Sequence, residues 1–376
     1  MLSLDQAYSF ENADNKQIQQ LRNQALAIRE LHWGDVITYS KKVFVPLTNM
    51  CRDTCGYCTF VKPPGSPEAN IMTPEEVMEV VRRGEELGCK EVLFSLGEKP
   101  EKTYPEARQF LQERGYSTIV DYLYDMCRLV LENTNLLPHV NAGSLTEQEV
   151  LKLRPVSASM GMMLENISRR LLQKGQAHYA CPDKVPLQRI RTLEWTGKHD
   201  VPFTTGILIG IGETWQERVD SLFAINEIHQ KYGHIQEVII QNFKAKPGTA
   251  MENAPEPSHE DMLKTLAVAR LILDPTISIQ APPNLQDHYR DYVSSGINDW
   301  GGVSPLTIDH INPERAWPQI KSLEFKTSEC GCQLKERLAI YPSYRNLPNR
   351  YLSDDISSRI DELETDLSPL IGAWVG

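Results

Sequence analysis

Cys51, Cys55 and Cys58 stand at CxxxCxxC spacing within Thr48-Asn49-Met50-Cys51-Arg52-Asp53-Thr54-Cys55-Gly56-Tyr57-Cys58-Thr59-Phe60. Three thiolates on one short loop can each take one iron of a cubane, whereas a closed electron-transfer cluster uses four cysteines. One iron is then left open, where a substrate can coordinate. The bland alternative is a structural zinc site. Zinc, however, wants four ligands, usually paired CxxC motifs or a matching His pair, and no such partner follows nearby. Cys89, Cys127 and Cys181 read as scattered structural thiols. Cys330 and Cys332 form a CxC pair, which cannot hold an auxiliary cluster without further ligands.

Chemistry on such a loop needs a scaffold, and the remaining sequence supplies a regular one. Short β-branched or apolar runs alternate with longer amphipathic stretches, the pattern of βα units around a parallel sheet. Eight runs are expected as strands: Val43–Leu47, Glu91–Leu96, Leu136–Val140, Ser157–Leu164, Phe203–Ile211, Gln236–Gln241, Thr276–Gln280 and, weakly, Trp300–Val303. Helices are expected between them. In Thr73–Leu87, Thr73, Pro74 and Glu76 form an N-cap, a first-turn proline and a capping-box acid, and Gly88 stops the helix. Others are Ile119–Glu132, Thr146–Leu153, Leu187–Lys198, Thr214–Lys231 and His259–Leu273.

These units predict an α/β fold, a (βα)₈ TIM-type barrel or a parted version of it, with chemistry on the loops after the strands. The cysteine loop begins where the first expected strand stops. Residues 1–36 read as a helical extension, with a helix from about Asn15 to His32. Residues 37–275 read as the core, and 276–376 as a part that completes the barrel and ends in a polar tail. Lys246–Pro257 reads as a long Pro-rich loop.

Bulk properties narrow the partners. The 376 residues are 41% hydrophobic, enough for a large core, and a net charge of -11 argues against a protein that neutralises nucleic-acid phosphates. No run approaches the roughly 20 apolar residues of a membrane span, and Met1–Asn15 lack the basic flank and apolar run of a signal peptide. The expectation is a cytoplasmic protein with a small-molecule substrate and neither nucleic acid nor membrane as partner.

The cysteine loop resembles that of the radical S-adenosylmethionine (radical SAM) superfamily. The resemblance implies a 4Fe–4S cluster on Cys51, Cys55 and Cys58 and S-adenosyl-L-methionine chelated to the open iron, where an electron releases a 5′-deoxyadenosyl radical. It also implies cofactor contacts. Tyr57 would pack near the adenine. Gly97 and Glu98, in Ser95-Leu96-Gly97-Glu98, would bind the cofactor's ammonium; Leu96 replaces the superfamily's usual first glycine, yet Glu98 can still accept a charge-assisted hydrogen bond. Glu165, at the end of the fourth expected strand, is a candidate for the ribose hydroxyls, or an ordinary loop acid. Gly206-Ile207-Leu208-Ile209-Gly210-Ile211-Gly212-Glu213 is similar to the superfamily's GxIxGxxE element, which would place Gly206, Gly210 and Glu213 by the adenine; its spacing is not the dinucleotide GxGxxG.

Further stretches resemble the CofG family, the small subunit of 7,8-didemethyl-8-hydroxy-5-deazariboflavin synthase. They are Val43–Asn49 leading into the cysteines, Ser159–Glu165, Asn298-Asp299-Trp300-Gly301-Gly302-Val303-Ser304-Pro305, and Glu336–Leu338 followed by Tyr341-Pro342. That family makes the deazaflavin chromophore FO with a second radical enzyme, CofH, which joins a tyrosine-derived hydroxybenzyl fragment to 5-amino-6-(D-ribitylamino)uracil. The implied activity is a radical lyase that closes the central ring with loss of ammonia. The implied partners are a CofH-type enzyme and an electron donor such as ferredoxin or flavodoxin. The sequence names no catalytic side chain. Polar groups of Asn298–Ser304 could reach the ribityl or phenol parts of the substrate, and Asp299 is a candidate contact, though an acid capping a turn reads the same way. Related enzymes, CofH itself and those of the futalosine route to menaquinone, share the loop and the barrel. A non-catalytic metal-binding or redox-sensing protein is the alternative of another class.

Overall fold

Nine parallel strands form in a computed structural model, which describes residues 1–347 and 350–367. They are β1 (Val36–Thr48), β2 (Glu91–Leu96), β3 (Leu137–Asn141), β4 (Ser159–Gly161), β5 (Phe203–Ile209), β6 (Ile235–Asn242), β7 (Ser278–Gln280), β8 (Asp299–Val303) and β9 (Gln333–Glu336). The first eight hydrogen-bond in chain order, and a β8–β1 and a β1–β2 pairing close them into a barrel. Helices on the outside bury the barrel's outer face, as parallel sheets require.

The eight expected strands are all present, with two adjustments. β1 starts at Val36 instead of Val43, because Lys42, which interrupts the apolar pattern, is buried and paired with Glu91. β4 shrinks to Ser159–Gly161, and the chain beyond it turns at Glu165, which has φ +63°. The ninth strand was not expected. Gln333–Glu336 lies outside the closed ring against Val36–Tyr39, and its polar sequence carries no burial signal.

Capping chemistry sets the helix starts. Thr73, Thr118, Thr146 and Thr214 each accept from the backbone N–H three residues on, inside reciprocal capping boxes. The N-terminal helix Asn15–Trp33 covers the helix His259–Ile272, nearly all of which is buried from Met262 onward. Arg270 in that helix is fully buried and donates to Gly296 O, Ile277 O and Asn298 Oδ1. Burial therefore does not require an apolar residue here, only satisfied donors. Another helix, Asp354–Leu367, opens the expected tail; the residues after it lie outside the described ones.

Both ends of the barrel are dressed by chain that follows β8. At the N-terminal end, Arg337–Tyr341 cross the strand starts: Ala339 O accepts from Ser159 Oγ (2.7 Å) and Gln236 Nε2 (3.1 Å), and Tyr341 Oη is hydrogen-bonded with Ser278 Oγ (2.8 Å). At the other end, the segment after β8 lies over the mouth, where Lys246 Nζ donates to Ile311 O (2.6 Å) and Trp317 stacks on Phe44 at 5.3 Å. Among the described residues no helix is long and apolar enough to cross a membrane.

Candidate active site

The cysteine loop leaves β1 at Thr48 and folds back over the end of β2. Gly97 N donates to Thr48 O (2.8 Å) and Arg52 N to Glu98 O (3.0 Å). This contact depends on Gly97, since a Cβ there would stand 2.1 Å from Met50 O and 2.7 Å from Cys51 Cβ. Cys51 Sγ accepts from the backbone N–H of Glu98 (3.1 Å) and of Asp53 (3.4 Å). Burial pushes the Cys51 thiol up to about 12, so near neutral pH a thiolate forms there only with a metal partner.

Cys51, Cys55 and Cys58 line the mouth of a single cavity of about 340 Å³ that runs down the barrel axis. One short loop with three sulfurs facing one cavity fits a cluster with an exposed iron. Cys181, expected to be merely structural, is at the site instead: its thiol donates to Cys55 Sγ at 3.7 Å, and this bond lowers the Cys55 pKa against the opposing effect of burial. Cys89 and Cys127 are buried away from it in the core.

Two carboxylates beside the loop are held in place. Glu98 accepts from Arg189 Nη1 (3.0 Å) and Ser144 N (3.0 Å). Glu165 is gripped by Lys184 Nζ (2.5 Å) and His178 Nε2 (2.8 Å), and the Tyr57 hydroxyl donates to it. Burial alone would raise the Glu165 pKa, but Lys184 and His178 hold it well below the usual range. Tyr57, Gly97, Glu98 and Glu165 all line the cavity, so four of the seven cofactor candidates meet there.

The other three do not line it. Gly206 allows close approach of β6, since a Cβ would be 2.2 Å from Ile239 O. Gly210 has φ +88°, and Glu213 accepts from Gly210 N (2.8 Å), Ile211 N (2.9 Å) and Arg218 Nη2 (2.7 Å). Their element shapes a loop whose apolar side chains, Leu208 and Ile211, pack with Tyr57 and Phe243. Asp299 is also displaced from the expected role. It is fully buried at the start of β8, bound by Arg337 Nε (2.6 Å), Tyr341 Oη (3.0 Å), Gly301 N (2.5 Å) and the Thr38 hydroxyl, and is not in the cavity wall.

Residues that sequence reasoning passed over complete the site. Asp53 is buried, accepts from Asp183 N (3.2 Å) through Oδ1 and has no partner for Oδ2. Burial, then Glu98, push its pKa to about 7. Asp53, Glu98 and Asp183 bring carboxylate oxygens within 4.8 Å of one another, with Arg52 forked onto Asp183. Asp53 was within reach of the sequence, being two residues from Cys51; Lys184 and Arg189 carried no local signal.

The model of the radical SAM superfamily matches residues 45–225. The 7,8-didemethyl-8-hydroxy-5-deazariboflavin synthase of Methanopyrus kandleri is 49% identical over 332 residues, 88% of this chain and 98% of that protein. FO synthases of Nocardia farcinica and Mycobacterium tuberculosis are 45% and 53% identical over 99% and 82% of this chain, which spans only 44% and 37% of their lengths. Among solved structures, the hydrogenase maturase HydG of Carboxydothermus hydrogenoformans superposes with a TM-score of 0.72 at 18% identity, covering 98% of this chain and 87% of that one. Methylornithine synthase (PylB) superposes at 0.69 with 17% identity, covering 89% and 94%. The chain thus belongs to the radical SAM superfamily and, within it, to the 7,8-didemethyl-8-hydroxy-5-deazariboflavin synthase family.

Proposed function

We infer that the protein is a radical SAM enzyme of FO synthesis, closing the deazaflavin ring of the hydroxybenzyl–ribitylaminouracil adduct with loss of ammonia. The observation that carries this reading is one cavity that joins three cysteines to a deep polar lumen, in a chain 49% identical to a 7,8-didemethyl-8-hydroxy-5-deazariboflavin synthase across 98% of that protein. A non-catalytic metal site would have no use for such a cavity.

When bound, the cluster and S-adenosylmethionine supply a 5′-deoxyadenosyl radical for hydrogen-atom abstraction. Cys51, Cys55 and Cys58 are assigned as the iron ligands. Glu98 and the unpartnered oxygen of Asp53 suit the cofactor's ammonium, because both are buried acceptors beside the loop. Glu165, already fixed by Lys184 and His178, suits the ribose hydroxyls, and Tyr57 with Leu208 gives an apolar wall for the adenine. Gly206, Gly210 and Glu213 shape that wall without touching the cavity. The enclosed lumen excludes water from a reactive carbon centre. We assign a CofH-type enzyme as the source of the adduct and a ferredoxin or flavodoxin as the electron donor, and we take 37–275 as the core that holds the cofactors.

The test is anaerobic reconstitution with iron and sulfide, reduction, and addition of S-adenosylmethionine with the CofH-type enzyme, tyrosine and 5-amino-6-(D-ribitylamino)uracil. FO fluorescence that requires both enzymes and is abolished by Cys55→Ala supports the reading. Formation of 5′-deoxyadenosine without FO would assign a different substrate.

A further inference from the structure

The lumen beneath the cysteine loop is not packed as barrel lumens usually are. Layers of Val, Ile and Leu are the norm. Here the inward positions, alternating along each strand, include Lys42 on β1, Glu91 on β2, His139 and Asn141 on β3, and Gln280 on β7. Lys42 lies six residues short of the end of β1 at Thr48, roughly 20 Å below the cysteine loop at the usual rise of a strand.

Three glycines, two of them in the wall, make room for these side chains. A Cβ on Gly301 would stand 1.8 Å from Gln280 Nε2, one on Gly302 2.6 Å from Lys42 Cε, and one on Gly161 2.8 Å from His139 Nε2. Gly301 and Gly302 belong to the Asn298–Pro305 stretch, so what that stretch gives the lumen is space and not a polar contact. Lys42 bonds Glu91 at 2.6 Å, and His139 Nδ1 meets Ser159 Oγ at 2.7 Å, which leaves Nε2 turned to the glycine side. Burial lowers the His139 pKa to about 4, so the ring is neutral near pH 7; Ser159 gives its one proton to Ala339 O, so Nδ1 carries the ring hydrogen and Nε2 is left as an acceptor. Higher up, one side of the wall is flat and apolar, with Phe44 stacked on Trp317 and with Leu93, Pro282 and Leu285.

We propose that the lumen floor around Lys42, His139 and Gln280 is the subsite that holds the substrate's polyol chain, with its planar rings toward the mouth. This deepens the FO reading and rests on it. A chain of hydroxyls, each both donor and acceptor, matches a floor that offers an ammonium, an amide, a neutral imidazole and a carboxylate. A phenol or a pyrimidinedione presents a flat face and only edge polarity, which suits the aromatic and apolar upper wall. Gln280 is the specificity residue on this reading: uncharged, 8% exposed and provided for by Gly301.

The test uses the reconstituted holoenzyme and two unreactive ligands, 5-nitro-6-(D-ribitylamino)uracil and 5-nitro-6-(methylamino)uracil, which share the ring and differ in the polyol. Calorimetric titration should show the ribityl compound binding at least ~10-fold tighter to the wild type. Gln280→Leu should weaken it by about 10-fold, the size of one or two lost hydrogen bonds, and leave the methyl compound unchanged. His139→Phe reads the same contrast from the opposite wall and serves if Gln280→Leu does not fold. Equal effects of these variants on both ligands, or none on either, would overturn the subsite. A wild type that cleaves S-adenosylmethionine but binds neither ligand would overturn the substrate class itself, a separate failure.

Discussion

Cys55 carries two relationships, one to its loop and one to Cys181, and they can be separated by substitution. The Cys181 thiol is a hydrogen-bond donor at 3.7 Å, whereas the three loop sulfurs are the assigned ligands. Cys181→Ala is therefore expected to keep the full iron and sulfide content after reconstitution and to shift the cluster's reduction potential downward, because a hydrogen bond to a ligand sulfur is lost. Cys55→Ala should lose the cluster. Iron analysis and a redox titration check both; loss of iron in Cys181→Ala would make that sulfur a ligand. The contrast shows what is legible at this scale. Cys51, Cys55, Cys58 and Glu98 are readable because spacing and position on a strand end announce them. Cys181, Lys184 and Arg189 reach the site from a segment more than a hundred residues later, and nothing in their own neighbourhood says so. Asp299 differs: its carboxylate pairs with Arg337 outside the cavity lining, which its place in the motif does not reveal.

At the scale of elements, the critical junction is where the cysteine loop crosses the end of β2. Gly97→Ala would force a methyl into Met50 O, and neither backbone can retreat without opening the β1–β2 pairing. We expect a loss of about 1–3 kcal/mol in stability by denaturant unfolding, the usual cost of overpacking, together with reduced iron content. Unchanged values for both would show that the loop is free to move. Helix starts were readable because Thr73, Thr146 and Thr214 carry their capping partners three residues on. Strand β9 was not, because Gln333–Glu336 pairs on one edge and buries little. In the GxIxGxxE element, Gly206 admits the close approach of β6 and Glu213 accepts from Gly210 N, geometry that a pattern of letters does not encode.

At the scale of the whole molecule, the buried charges of the lumen predict the acid response. His139, at about 4 in the fold against an ordinary 6.5, is protonated sooner in the unfolded chain, so its contribution is full above 6.5 and declines as the pH falls toward 4. Glu237 runs the other way: burial and Asp299 raise it to about 7, so it stabilises below 4.5 and that contribution is lost as the pH rises through 7. Glu91, which burial would raise but Lys42 and His139 bring down to about 2, contributes above 4.5 and loses its contribution as the pH falls toward 2. The first two oppose each other between 4.5 and 6.5, so thermal unfolding should show a plateau there and a fall below 4.5. In His139→Gln the plateau should tilt, with stability rising as the pH drops from 7 to 4.5. A flat profile in that variant would mean that Glu237 does not titrate as described. The barrel itself was legible from eight alternating runs, but its polar interior was not, since an inward Lys42 or Glu237 looks like a surface residue until the strand's facing is known.

Arg337–Tyr341, crossing the strand starts, turn the tube into a blind well. Among the described residues, anything lodged on its floor enters and leaves past the cysteines. A molecule anchored at the rim would bar the passage of one lying deeper, so traffic obeys the rule of a stack: the deep guest arrives first and departs last. Turnover would then be a compulsory sequence of arrivals, and a rim occupant present in excess would act as a stopper, trapping the product beneath it.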